Sequence, residues 1–167
     1  MPELAVGCVL ENVRNEYGNG DNRRRHQLQL LDLAMQSGVS AEDFASAPIE
    51  KAVKEYISLA SEIYYPLKMK LPRRLYRPAI AAGAITATEI MAIVEFKAMQ
   101  VAFSRLGLAD HIWFDHVNVE CDHTDESIAL AQYFVDHHDA HAAVEYGFRQ
   151  MLDANATLYD GFLSCIA

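Results

Sequence analysis

The segment whose residue types and spacing could carry chemistry is Trp113-Phe114-Asp115-His116-Val117-Asn118-Val119-Glu120-Cys121-Asp122-His123. On a helix advancing about 100° per residue, Glu120, His123 and Ser127 fall within about 40° of His116. Leu130 and Phe134 extend that stripe, while Asn118, Asp122, Asp125 and Gln132 lie opposite it. Three ionisable groups on an apolar stripe are costly to bury unless something pairs them. A divalent metal held by neutral imidazoles and a carboxylate supplies that compensation. The plain alternative is that the three hydrogen-bond to other polar groups of the core.

Further ligands must come from other elements. His26 shares a helical face with Leu30 and Leu33, and Glu16 stands just before the break Gly18-Asn19-Gly20. Glu89 shares a stripe with Ala82, Ile85, Ile93 and Phe96, where an unpaired carboxylate would be unfavourable. Glu95 falls on a different face and is the weaker choice. A mixed imidazole and carboxylate set suits iron or manganese better than structural zinc, which favours thiolates. Cys8, Cys121 and Cys165 form no CxxC pair, so neither a disulfide framework nor a zinc knuckle is expected. A second group, His137-His138-Asp139-Ala140-His141, reads as solvated chemistry at a helix junction, with Asp139 as N-cap.

The elements that must position these residues are helical, without hairpin signals. The pattern predicts helices over about 2–17, 22–37, a short one after Ser40, 48–64, 79–106, 111–134 and 139–165. Gly18-Asn19-Gly20 breaks the first, Asp21 or Asn22 caps the second, and Gly38 ends it. Ser40-Ala41-Glu42-Asp43 is a capping signal. Pro66, Pro72 and Pro78 punctuate a basic connection carrying Lys68, Lys70, Arg73, Arg74 and Arg77. That stretch is either a solvated link or a mouth that attracts an anionic substrate.

At 167 residues, one domain over 1–167 is expected, and 51% hydrophobic residues suffice for its core. A net charge of −9 argues against nucleic acid as a partner. No run reaches the roughly 18–20 uninterrupted apolar residues of a membrane span, and Met1-Pro2-Glu3-Leu4 lacks a secretory pattern. A cytoplasmic protein acting on a small molecule, without membrane or nucleic acid, is the expectation.

In four places the chain resembles the heme-oxygenase-like diiron oxidases and oxygenases, of the superfamily that includes thiaminase II and pyrroloquinoline-quinone synthase. Glu16-Tyr17-Gly18-Asn19-Gly20 followed by Arg25-His26 is similar to the approach to that family's first ligand histidine. Gly83-Ala84-Ile85 through Glu89 resembles the helix that donates its middle carboxylate. His116-x3-Glu120-x2-His123 matches its most specific motif, and Tyr159-Asp160-Gly161-Phe162 resembles the closure of its last helix.

The resemblance implies an all-α, heme-oxygenase-like multi-helical bundle, shortened at its N-terminus, with any exposed side covered by a second copy as a homodimer. It implies two non-haem iron ions that activate dioxygen to oxidise an amino-acid- or fatty-acid-like substrate. His26, His116 and His123 would supply nitrogens, and Glu89 and Glu120 oxygens, with no catalytic residue beyond the ligands. Many members carry glutamate three residues before the first ligand histidine. Here Arg23 stands there, so Glu16 substitutes for that carboxylate or the position goes unfilled. Arg23, Phe148 and Tyr159 are the expected substrate contacts. The competing readings are a metal-free member that binds or converts an organic ligand, a degenerate non-catalytic member, and a ferritin-like bundle. The last would normally show two Glu-x-x-His units, of which this chain has one.

Overall fold

The computed structural model describes residues 3–65 and 76–166, with the side chains of 4, 5, 8, 118–122 and 166 outside that description. Among the described residues the regular structure is entirely helical. Seven α-helices follow in order: α1 (Glu3–Glu16), α2 (His26–Gln36), α3 (Ala41–Ser46), α4 (Lys51–Tyr64), α5 (Arg77–Ser104), α6 (His116–His138) and α7 (His141–Ile166). Single 3-10 turns at Asn22–Arg24 and Ile112–Asp115 precede α2 and α6. The all-α class is therefore as expected. Of the basic connection, Lys68, Lys70, Arg73 and Arg74 lie outside the described residues.

Local chemistry explains the boundaries. Gly18, Asn19 and Gly20 all take positive φ, at 81°, 55° and 91°, which ends α1. At Gly18 a side chain is excluded twice, because an added Cβ would also stand 2.3 Å from the Asp21 carbonyl oxygen. The Asp21 side chain accepts from the Arg23 amide and caps the 3-10 turn, so α2 begins at His26 rather than at residue 22. Ser40 Oγ accepts from the Asp43 amide, as a capping serine should. His111 Nδ1 accepts from the Trp113 amide, which opens with a 3-10 turn the segment expected to be α-helical from 111. The junction before α7 also differs from expectation. Asp139 is not a side-chain cap; it takes φ 49°, and the Ala140 carbonyl accepts from the amides of Ala143 and Val144.

The chain forms two compact units. The first comprises 1–47 and 91–126, and the second 48–90 and 127–167. Helices α5 and α6 each contribute one part to either unit.

The second unit holds most of the buried apolar residues, including Ile63, Ile80, Leu130, Phe134 and Met151. There α5 and α7 approach until backbones touch: a Cβ on Gly83 would lie 2.0 Å from the Val144 carbonyl oxygen. Thr86 Oγ1 donates to the Ser127 carbonyl, tying α5 to α6. Gly161, in the aromatic-Asp-Gly motif, lets α7 reach α4, since its Cβ would meet that of Ala52 at 2.0 Å. By length and composition α5 could cross a bilayer, but close packing of its Gly83 region on α7 is the behaviour of a core helix.

The first unit has a different interior. Among its described residues Leu33 and Phe114 are the buried apolar ones, and Gln29, His116 and His123 are buried as well. Buried polar side chains persist where they are hydrogen-bonded or serve a ligand.

Candidate metal centre

The polar interior of the first unit is built around α6. His116 and His123 are 5% and 8% exposed, and Ser127, Leu130 and Phe134 continue as buried positions along the helix. Asp125 and Gln132 are exposed on its other side. Phe96 of α5 stacks on the His116 imidazole at 4.7 Å with an 8° interplanar angle, and Trp113 packs on it at 4.8 Å. Those rings keep water from His116 and hold its plane.

Hydrogen bonding then assigns the protons. His116 Nδ1 bonds the Trp113 carbonyl, which can only accept, so Nδ1 carries the hydrogen and Nε2 a lone pair. His26 Nδ1 lies 2.8 Å from Glu16 Oε2, so it donates to the carboxylate. In the neutral ring the lone pair of His26 is then on Nε2, which stands 2.9 Å from His116 Nε2. His116 Nε2 is also 3.1 Å from His26 Nδ1, and the two rings meet nearly at right angles with centroids 4.0 Å apart, so the nitrogen of one imidazole rests against the ring of the other.

Electrostatics agrees with this assignment. Burial holds the His116 imidazole below its usual pKa, and the neighbouring His26 adds to the effect, although the Trp113 carbonyl and Glu16 oppose it. The neutral form is the one that binds metal. The hydrogen bond from His26 holds the Glu16 carboxyl below its ordinary range against the opposing effect of burial; fields from His26, His116 and His123 contribute further. Glu16, just before the glycine break, thus feels the fields of all three histidines.

His123 is engaged separately. Asn15 Oδ1 accepts from Asn19 Nδ2, which turns the Asn15 NH2 toward His123 Nε2 at 3.0 Å. Among the described residues no three His, Cys, Asp or Glu side chains close on one point to hold an ion; the contacts run pairwise through His26. The donor types, imidazole nitrogen and carboxylate oxygen, fit iron, with Glu16, His26 and His116 nearest one another. Glu120 is on α6 between the two histidines, and its side chain lies outside the described residues.

The other expected site residues are placed as follows. Glu89 is half-buried in the second unit, where burial raises the pKa of the Tyr64 phenol and the fields of Tyr56 and Glu89 add to it. Arg23 is exposed and paired with Asp21, whose carboxylate takes both its Nε and a terminal nitrogen. Phe148 borders a groove of the second unit with Thr86, Val144 and Leu152, and Tyr159 is 37% exposed.

Asn15, Trp113 and Phe96 were not singled out from sequence as parts of the site. Asn15 carried a usable signal, being the residue before Glu16 at the glycine break. Phe96 and Trp113 carried none beyond their apolar character, because stacking on an imidazole depends on tertiary placement.

The all-helical architecture is that of an all-α, heme-oxygenase-like bundle. The chain belongs to the iron-containing redox enzyme family, whose model matches residues 3–156. The matched span includes every candidate ligand, from Glu16 through His123, but ends before Tyr159. No curated protein and no solved structure matches the chain.

Proposed function

We propose that this chain is a non-haem oxidase or oxygenase that uses two iron ions to activate dioxygen and oxidise a small amino-acid- or fatty-acid-like substrate. The observation that carries the reading is the meeting of the Glu16 carboxylate with the His26 and His116 imidazoles in the polar interior of the first unit, where each ring has a hydrogen bond at Nδ1. Such outer hydrogen bonds orient ligand imidazoles and raise their basicity. Family membership supports iron as the metal.

Glu16, His26 and His116 would hold the metal, with His123 and Glu120 from the same helix as His116. Bound ferrous iron supplies electrons and open coordination positions for dioxygen. The chain's own residues shape what happens there. Phe96 and Trp113 exclude water from the His116 side, and the Trp113 carbonyl keeps the His116 proton on Nδ1. Net charge −9 supports a small molecule rather than nucleic acid as the partner.

Anaerobic titration with ferrous iron tests the proposal directly. Near-stoichiometric binding is expected, lost in His116→Ala and sharply reduced in Glu120→Ala, with a fluorescence change of Trp113, the only tryptophan. Iron content unchanged in both variants would remove α6 from the metal site. A screen of amino and fatty acids for accelerated oxygen uptake then addresses the substrate.

One observation favours a second reading. The imidazoles of His26 and His116 already pack on each other, and Asn15 already satisfies His123 Nε2. On this reading the chain is a metal-free member that binds or converts an organic ligand. No iron uptake by the wild-type chain under anaerobic conditions decides for it.

A further inference from the structure

His111 is a buried histidine that the proposed chemistry does not use. Its side chain is 5% exposed, and both ring nitrogens are engaged. Nδ1 lies 3.1 Å from the Trp113 amide, which can only donate, so Nδ1 accepts. In the neutral ring Nε2 then carries the hydrogen and donates to Asp32 Oδ2 of α2 at 3.0 Å. The same oxygen accepts from Gln36 Nε2 at 2.9 Å, which holds the carboxylate in place. One tautomer alone makes both bonds, and a carboxylate at Nε2 selects that tautomer.

What this residue holds is the peptide that bonds His116. His111 Nδ1 takes the N–H of Trp113, and the His111 carbonyl takes the N–H of Phe114 at 2.9 Å. Those two N–H groups belong to the peptide planes on either side of the Trp113 Cα. With both planes tied, the two soft dihedrals of Trp113 are fixed, and the direction of its carbonyl with them. That carbonyl accepts from His116 Nδ1. Asp32, His111, Trp113 and His116 all belong to the first unit, so this chain of bonds lies within one compact body.

We propose that His111 is a positioning residue for His116: by pinning the turn through Trp113 it keeps the His116 hydrogen on Nδ1 and the lone pair on Nε2. The inference rests on the preceding reading only for what that lone pair binds, which is iron. Without the acceptor at His111, the Trp113 amide loses its partner and the turn is free to rotate its carbonyl away from His116. The two His116 nitrogens then compete for a single hydrogen, and a share of the rings presents N–H where a metal needs a lone pair. Asp32 enters the same chain one step further out, by keeping the His111 hydrogen off Nδ1.

Nitrogen NMR of the imidazole rings tests this on the full chain without metal, at about pH 8, above the ordinary histidine pKa. The parent chain is expected to show opposite tautomers, with the hydrogen on Nε2 in His111 and on Nδ1 in His116. His111→Phe keeps a ring of similar size and removes the acceptor. It is expected to raise the share of His116 rings protonated on Nε2 and to weaken ferrous iron binding about tenfold. His111→Asn, whose Oδ1 takes the place of Nδ1 as acceptor for the Trp113 amide, is expected to restore both. A hydrogen on His111 Nδ1 in the parent chain, parent-like His116 nitrogens in His111→Phe, or no recovery in His111→Asn would each overturn the proposal. The parent spectrum decides alone should the variants fail to fold. If the parent chain takes up no iron while the tautomers behave as expected, the metal reading falls and the positioning role stands. Iron uptake together with unmoved His116 nitrogens in His111→Phe removes the positioning role and spares the metal reading.

Discussion

Asn15 and His123 are 108 residues apart in the chain, yet the Asn15 amide nitrogen lies 3.0 Å from His123 Nε2. The contact joins the last turn of α1 to α6. It also fixes the tautomer of His123, whose Nε2 accepts and whose Nδ1 must then carry the hydrogen. Removing the donor with Asn15→Ala leaves a buried nitrogen without that partner. The variant is expected to be less stable by about 1 kcal/mol. Urea unfolding measures it, and an unchanged midpoint would show the contact to be energetically empty.

The α5–α7 approach is set by glycine. A Cβ at Gly83 would lie 2.0 Å from the Val144 carbonyl oxygen, and one at Gly147 would lie 1.9 Å from that of Ile80. Both obstacles are backbone, so no side chain can swing aside. Gly83→Ala is expected to destabilise by about 2 to 3 kcal/mol, against a small helix-propensity gain. Thermal unfolding provides the check; a melting temperature at or above that of the parent chain contradicts the close packing.

His116 should make folding sensitive to mild acid. Its folded pKa is lowered below 6.5, chiefly by burial. As pH falls from about 6.5, the unfolded chain binds a proton that the folded His116 refuses, so stability declines until the folded pKa is reached. At higher pH this contribution is complete. Chelator-treated protein is expected to lose more stability between pH 7.5 and 5.5 than His116→Asn loses over the same interval. Parallel slopes for the two proteins would mean that His116 is protonated equally in both states.

Asp21 governs the acid end instead. Its carboxylate accepts from the Arg23 side chain and amide, which lowers its pKa to about 2. A depressed carboxylate stabilises the fold above its ordinary pKa, near 3.8, and that contribution disappears as pH drops toward 2. Arg23→Gln is expected to return the Asp21 pKa upward, read by NMR titration of its carboxyl carbon. If the pKa stays near 2, the amide of residue 23 alone holds the charge. The pairing also bears on substrate recognition, since an Arg23 engaged by Asp21 must break that contact before gripping a ligand carboxylate.

Much of this protein is written locally. The 3.6-residue repeat places His116, His123, Ser127, Leu130 and Phe134 on one stripe of α6, and all five are buried. Gly18-Asn19-Gly20 ends a helix because only a chain with positive φ can turn there, and Ser40 begins one because its hydroxyl replaces a missing acceptor. Such features depend on residues a few positions apart. Even locally, competition can mislead: Asp21 spends its side chain on a 3-10 turn, which moves the start of α2 to His26.

Tertiary structure decided the partners. Periodicity can say that His116 faces inward but not that it meets the ring of His26, that Phe96 lies flat upon it, or that Asn15 reaches His123. Nor can it show that Arg23 is taken by Asp21, or that Gln29 is left with an unanswered carbonyl. A helical repeat records which way a side chain points. The group waiting at the other end comes from a distant stretch of chain, and only packing determines which one it is.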